Sequence, residues 1–358
     1  MDRIEHPAVS LLVPLYNVER YLAECLDSAL GQSLRDIEII CINDGSTDSS
    51  RKIIERYLQA DSRVRVIDKP NSGYGASMNQ GLDAARGEYV GILESDDFFE
   101  PDALERLLDA ARTYDAQVAK ADFWFYWSVP QERNERFGWT EGMPEGLTSP
   151  KQNLDLFYRK PSIWSALYRR SFLDGNGIRF LETPGAAYQD AAFNFKVWAC
   201  ADRVAVVDRP VLHYRQDYET SSVNSPGKVY CVCDEYREMH RFVSQMPDGQ
   251  DKVRLRAILS RMRYDTYIWN YERLSEPLQR EFVLRMAKDF REDDILGYTD
   301  LSYLQEDKQQ RRAAILEDPL FWHLGATDKA APGKLNTLRR YFQAGGFSYV
   351  ARALMRKG

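Results

Sequence analysis

The chain has no run of about 18 apolar residues, the length a membrane-crossing helix needs, and its opening "MDRIEHPA" lacks the apolar centre of a secretory signal. Positive charge is not in excess either: 48 Lys and Arg face 54 Asp and Glu, a net charge of −6 over 358 residues. A phosphate backbone needs a basic face, so nucleic acid is excluded as a partner. Cysteine pairs at metal-ligand spacing are missing. The five cysteines, at 25, 41, 200, 231 and 233, form no CxxC and are odd in number, which speaks against zinc and against a disulfide framework. Reduced, buried thiols in a cytoplasmic protein are the expectation. Two phosphate-binding fingerprints are absent as well: no G-x-G-x-x-G follows the first strand, and no G-x-x-x-x-G-K-[ST] occurs. A nucleotide bound here is held some other way.

What is present is an ordinary globular composition, 44% hydrophobic and 28% charged. The first 125 residues alternate two periodicities. Short apolar runs at 9–15, 37–43, 64–68, 88–93 and 117–122 predict strands, and helical spacing between them predicts helices. One such helix carries Tyr21, Leu22, Cys25, Leu26, Ala29 and Leu30; another opens at Pro101 and turns Leu104, Leu107, Leu108 and Ala111 inward. Such alternation implies βαβ units and an α/β fold with a mostly parallel sheet covered by helices. Residues 128–150, rich in Pro, Gly and charge, read as a mobile insertion. From 226 onward Val229, Val232, Tyr236, Met239 and Val243 make a helical stripe, so a catalytic domain over 1–225 and a helical region over 226–358 are expected.

Ligands of parallel sheets bind beyond the carboxyl ends of the strands. The segments leaving the first four strands are "PLYN", "NDGSTD", "DKPNSGYG" and "ESDD", all polar, Gly-rich or acidic. Glu94-Ser95-Asp96-Asp97 is either a solvated acidic turn or a place for a hard divalent cation, Mg²⁺ or Mn²⁺, which takes carboxylate oxygens. Around it, Tyr16 can stack on a base and Asp44 can accept the base's ring N–H. Gly73 and Gly75 can let backbone approach a sugar or phosphate, and Lys69 can neutralise charge.

These stretches, "VSLLVPLYNVERYLAECLDSALGQSLRDIEIICINDGSTDSS" and "NSGYGASMNQGLDAARGEYVGILESDD", together resemble the bacterial family-2 glycosyltransferases. The resemblance is dense over the first 125 residues and looser to about 225. It implies a GT-A fold with a Rossmann-like sheet, a UDP-sugar donor, and hexosyl transfer with inversion to a saccharide or lipid-linked acceptor. By the same carry-over Pro14, Tyr16 and Asp44 stand at nucleoside-binding positions, and Glu94-Ser95-Asp96 stands where the family has its D-x-D metal motif. Asn43 and Glu94 replace the family's usual aspartates. In "YQDAAFNFKVW" Asp190 occupies the catalytic base's position, with Gln189 where an acid is usual; read from the residues alone, Asp190 is equally a helix N-cap.

His213 and Asp217 are the late candidates for the metal, Asp217 standing where the family has a histidine in Tyr-Arg-x-His. Read on its own, His213 is a packed strand residue, and Arg215 meets either a diphosphate or a surface acid. From 329 to 358 there are seven Lys or Arg and no acid, interleaved with Leu335, Leu338, Phe342, Phe347, Val350 and Leu354. That tail reads either as a peripheral membrane contact on an anionic surface or as a helix docked on the catalytic domain. The expected function is a metal-dependent inverting glycosyltransferase of surface polysaccharide or glycoconjugate synthesis. A non-catalytic nucleotide-sugar-binding subunit and a sugar nucleotidyltransferase stand as alternatives.

Overall fold

Runs almost free of charge become strands covered on both faces. In the computed structural model, which describes residues 6–217, 228–327 and 334–356, β1 (Val9–Leu15) and β2 (Ile37–Asn43) are buried at all seven positions each. The chain divides into two compact units, Met1–Ser221 and Ser222–Gly358. The first continues with α1 (Leu22–Leu30), α2 (Ser50–Ala60), β3 (Val64–Asp68), α3 (Tyr74–Ala84), β4 (Tyr89–Ile92), β5 (Phe98–Phe99), α4 (Ala103–Thr113) and β6 (Val118–Trp127). Then come β7 (Arg133–Phe137), β8 (Gly146–Thr148), β9 (Ala166–Arg169), α5 (Arg170–Gly175), α6 (Gln189–Cys200) and β10 (Val204–Arg215).

The strands form one sheet in the order β3-β2-β1-β4-β9-β6-β10-β5, with β7 on β6 and β8 on β10. The βαβ half, β3-β2-β1-β4, is parallel throughout. Strand β9 enters antiparallel between β4 and β6, and β10 returns parallel to β6. Chain order reverses at β1, which lies between β2 and β4, so the crevice beyond β1 and β4 is the switch point where α/β sheets bind ligands. The β1–β2 ladder runs to Leu15↔Asn43, but the β1–β4 ladder stops at Leu12↔Ile92. Pro14, which has no N–H to offer, falls where the β4 ladder has already ended.

The 128–150 segment, expected as a mobile insertion, instead contributes β7 and β8 to the sheet. Side chains hold it there. Arg136 donates to the fully buried Asp122 at 2.9 and 2.6 Å, the Thr140 N–H donates to the other Asp122 oxygen at 2.7 Å, and Phe137 stacks on Phe123 at 4.7 Å.

The second unit is helical: α7 (Cys231–Gln245), α8 (Gln250–Arg273), α9 (Glu276–Ile295), α10 (Glu306–Glu317), α11 (Pro319–Thr327) and α12 (Lys334–Arg356). All five residues of the expected stripe, Val229 to Val243, are buried. Buried charges on α8 and α9 are matched: the Tyr267 hydroxyl and Arg285 donate to Asp289, and Arg263 donates to Asp293. Helix α12 is broken at Gly345 and Gly346. All five cysteines are free, with Cys25, Cys41 and Cys233 buried. Among the described residues no helix is long and apolar enough to cross a membrane.

Candidate active site

The turn after β4 is folded so that its acids cannot disperse into solvent. The Asp97 N–H closes the turn on the Glu94 carbonyl at 3.0 Å, and β5 then pairs antiparallel with β10 through Phe98↔His213. The Asp97 carboxylate is buried and accepts the Arg215 N–H at 2.8 Å; its other oxygen is buried with no hydrogen-bond partner. Burial first, then the neighbouring Asp96, pushes the Asp97 carboxyl well above its ordinary range. Arg215 is spoken for. Its Nε donates to the Asp96 carbonyl at 2.9 Å, Nη2 meets Glu24 at 2.5 Å, and the guanidinium lies 4.4 Å from the Tyr21 ring and 4.9 Å from that of Tyr126. Instead of reaching toward a diphosphate, Arg215 clamps the acidic turn.

Glu94 and Asp96 are recessed rather than sealed: each keeps partial exposure, yet burial dominates the upward shift of both carboxyls. Glu94 is pushed up to about 8, by burial and by the charges of Asp96 and Asp190, against the lowering effect of the Tyr74 hydroxyl that donates to it at 2.6 Å. Ser95 between them is buried.

Asp190 sits in the first turn of α6, one residue past the start, so it is not the N-cap. The N-cap is Tyr188, held at φ 65°, a left-handed conformation that costs a non-glycine residue on the order of 1–3 kcal/mol. Gln189 secures that bend. Its Oε1 accepts the Ala187 N–H at 2.6 Å, and its Nε2 donates to Thr183 Oγ1 at 2.9 Å and to the Gly185 carbonyl at 3.3 Å. A carboxylate could not make the last of these bonds. Burial pushes Asp190 up to about 6, and the ammonium of Lys160 opposes the shift. Lys160 also lies 5.5 Å from the Tyr214 ring, which stacks on Trp164 at 4.8 Å. The loop carrying Lys160 and Trp164 is tied down from β6, where the buried Lys120 ammonium donates to the Ser162 carbonyl at 2.5 Å and its hydroxyl at 2.8 Å.

One side chain reports how near these acids are to each other. The Tyr214 phenol is raised by burial and then by the charges of Asp97, Asp96, Asp190 and Glu94 together. Asp190, 94 residues further along the chain than Asp96, thus shares one electrostatic environment with the acidic turn.

Other expected site residues have different work. Asp44 accepts the Ser72 and Gly73 N–H groups at 2.8 and 3.0 Å and pairs with Lys69, whose ammonium also reaches Ser77 at 3.2 Å. Lys69 is neutralised from within, and of the roughly four acceptor sites on the Asp44 carboxylate one is left. Asn43 donates to Asp68 at 2.8 Å and accepts the Ser46 N–H at 3.0 Å, which an aspartate facing Asp68 could not do. Gly73 and Gly75 approach a neighbouring stretch of chain, not open space: a Cβ on Gly73 would stand 2.5 Å from the Thr183 carbonyl oxygen, and one on Gly75 2.0 Å from that of Leu181. With the Tyr74 N–H on the Gly185 carbonyl at 2.9 Å, these contacts weld the 73–75 turn to the loop that delivers Asp190. Pro14 is buried, and Tyr16 is half-exposed at the same edge.

His213 is not turned to the acids. Its Nδ1 faces Asn134 at 2.8 Å, its Nε2 faces Glu100 at 3.1 Å, and its ring stacks on Phe98 at 4.3 Å. Asp217 accepts the Ser128 N–H and hydroxyl and the Val129 N–H, pinning the β6–β7 turn, while its other oxygen lies 3.9 Å from Arg215.

Among the described residues no three His, Cys, Asp or Glu side chains gather tightly enough to cage an ion alone. The donor set nevertheless fits a hard cation that shares its coordination with phosphate and water. Carboxylates that raise one another, and an orphaned buried oxygen on Asp97, are what such an ion would relieve. Sequence reasoning missed Tyr74, Lys160 and Tyr214. Tyr74 opens α3, Lys160 lies in a loop and Tyr214 near a strand end, and the partners of each are remote in sequence, so no local pattern announces them.

The sheet order and the placement of the acids at its switch point define a GT-A-type protein. Residues 10–176, a little under half of the chain, match the glycosyl transferase family 2. Two Bacillus subtilis (strain 168) proteins described as glycosyltransferases resemble it: EpsH is 34% identical over 232 residues and EpsJ 35% identical over 217. Each alignment takes in 59% of this chain and 62% of the relative, so the chain spans less than two thirds of either relative's length. In structure it is similar to S. aureus TarS 1-349 in complex with UDP-GlcNAc, with a TM-score of 0.72, 18% identity, and coverage of 90% of this chain and 92% of that one.

Proposed function

We propose that this chain transfers a sugar from a UDP-sugar to a saccharide or lipid-linked acceptor, with inversion, in the synthesis of a bacterial surface polysaccharide or glycoconjugate. The observation that carries the reading is the place of Tyr74, whose hydroxyl donates to Glu94 at 2.6 Å while its N–H donates to the Gly185 carbonyl at 2.9 Å, so that the acidic turn is tied to the loop that delivers Asp190. Support for the donor comes from the TarS neighbours, crystallised with UDP-GlcNAc and with UDP.

In this reading Asp190 receives the acceptor hydroxyl's proton as that oxygen bonds to the anomeric carbon and the bond to the diphosphate breaks, releasing UDP. Asp96, with Glu94, would hold a Mn²⁺ or Mg²⁺ ion, which supplies positive charge against the departing diphosphate oxygens. Lys160 keeps Asp190 ionised near neutral pH despite its burial. Tyr74, by donating to Glu94, fixes the orientation of that side chain. Tyr16 offers an exposed ring for the base, and Asp44, just past β2, keeps one open acceptor site.

The test is UDP release from a panel of UDP-sugars with added Mn²⁺ or Mg²⁺ and with chelator, beside thermal stabilisation by each donor. Turnover is expected to need the cation. Asp190→Asn should keep donor-induced stabilisation and lose on the order of 10²–10⁴ in transfer rate. Wild-type transfer by that variant would remove Asp190 from the mechanism.

A further inference from the structure

One face of α12 is accounted for: Tyr341, Ala344, Tyr349, Val350 and Ala353 pack with Phe321 and Leu324 of α11. A second apolar face is not. Leu335, Phe342, Phe347, Leu354 and Met355 are exposed, Leu335 at 83% and Phe347 at 82%. Their spacing is regular. Leu335 and Phe342 stand seven residues apart, two helical turns, and so do Phe347 and Leu354, so each half of α12 carries one outward apolar stripe. The break at Gly345 and Gly346 (φ +63° at the second) does not separate the two stripes. Across it the Phe342 and Phe347 rings meet edge to face at 5.0 Å. Scattered exposed apolar residues are ordinary, but a continuous ridge marks an interaction surface.

The segment's own charge has one sign. Residues 329–358 contain seven Lys or Arg and no Asp or Glu. Arg340 is engaged by Glu276, and Arg352 by Asp318 and Glu317, while Arg339 stays exposed between Leu335 and Phe342. A second copy of the same face would bring like charges together. An anionic surface with an apolar interior matches both features at once. We propose that the outer ridge of α12 is a peripheral docking surface for anionic phospholipid, with Phe342 and Phe347 entering the interface and the flanking bases lying among the headgroups. It places this unit on a bilayer without crossing it, and it stands whether or not the glycosyl-transfer reading holds.

Co-sedimentation of the full chain with vesicles tests it, comparing phosphatidylcholine alone with a mixture holding about 30% phosphatidylglycerol, at low and high salt. The chain is expected to pellet with the anionic vesicles at low salt only. The exposed double substitution Phe342→Ser/Phe347→Ser should lower partitioning on the order of tenfold with the melting temperature unchanged. If the double variant melts early, Phe347→Ser alone replaces it, since that ring is almost wholly exposed. UDP release in solution, read in parallel, should be the same for wild type and variant, so a failed donor assay and a failed vesicle assay are told apart. The proposal is overturned if wild type stays in the supernatant with anionic vesicles, if the ridge variants bind as wild type does, or if wild type proves to be a dimer that these variants dissolve while the vesicles stay bare.

Discussion

If Lys160 holds the catalytic carboxylate ionised, removing its charge must move the acid limb of the rate profile. Asp190 lies near 6 because burial raises it and the Lys160 ammonium restrains it; Glu94, whose own carboxyl is raised by the Asp190 charge, faces it from the acidic turn, and the Tyr74 and Tyr214 hydroxyls are neutral neighbours. The base works when ionised, so transfer should fall as pH drops through about 6. An opposite charge at close range lowers a carboxylate by about 1–3 units, and partial solvent access argues for the low end. Lys160→Met should therefore shift the limb upward by about one unit, worth about 1.4 kcal/mol. With apparent values of about 6 and 7, the ionised fraction at pH 6 falls about fivefold, whereas above pH 8 the two proteins differ by less than about a tenth. Lys160→Arg should keep the limb near its original place. The assay is steady-state UDP release across pH 5 to 9 at saturating donor and cation, with donor-induced stabilisation measured beside it. An unmoved limb, or a loss equal at every pH, would refute the electrostatic role and leave Lys160 as a contact for substrate or a prop for its loop.

Two further substitutions probe the scaffold that delivers the base. Gly75→Ala places a methyl 2.0 Å from the Leu181 carbonyl oxygen, a clash between backbones that no rotamer relieves. A loss of about 1–3 kcal/mol in urea unfolding is expected, with a larger loss of transfer than of donor binding, and a wild-type denaturation midpoint would contradict it. Arg136→Ala strips the ion pair from Asp122, whose carboxylate is fully buried and retains the Thr140 N–H. A cost of about 2–3 kcal/mol is expected, with proteolytic nicking between 128 and 150; full resistance to protease would show that the strand pairing alone holds β7.

The parallel half of the sheet was legible because β1, β2 and β4 are buried throughout and hence nearly free of charge, and because short connections fix the order of these and the part-exposed β3. Strand β9 was not, and β10 only around His213. Tyr168 and Leu167 of β9 pair with β4 and β6, both set down far earlier in the chain, so no local alternation reveals them. The 128–150 segment misled for a related reason: its Pro, Gly and charge are what a loop would show, and the residues that fix it, Asp122 and Phe123, lie outside it. In the site, the acids of the turn and Asp190 were visible as a motif and a helix start. The partners of Gly73, Gly75, Lys69 and Arg215 were invisible, since each residue type that can meet a ligand can equally meet another part of the chain.

That ambiguity bears on the two places where this chain departs from the acids that the family resemblance implies. Read in the sequence, Glu94 and Gln189 favour a silent, nucleotide-sugar-binding protein; the departures that lose an acid outright are Asn43 and Gln189. In the fold each has a partner that only a donor can satisfy. Asn43 gives its amide N–H to Asp68, where an aspartate would set two carboxylates at hydrogen-bonding distance with no proton between them. Gln189 gives its amide to the Thr183 hydroxyl and the Gly185 carbonyl, and so holds the left-handed Tyr188 that aims the start of α6. An acid there would leave the Gly185 carbonyl unmet and add a negative charge beside Asp190, raising the base further above its ordinary range. The substitutions thus trade charge for hydrogen-bond donation within the loops that carry the site, while Asp96 and Asp190 themselves are untouched. A prediction separates the two readings: Gln189→Glu should lower transfer most strongly at low pH, as an added charge beside the base requires. A silent protein would show no transfer to lose in either form.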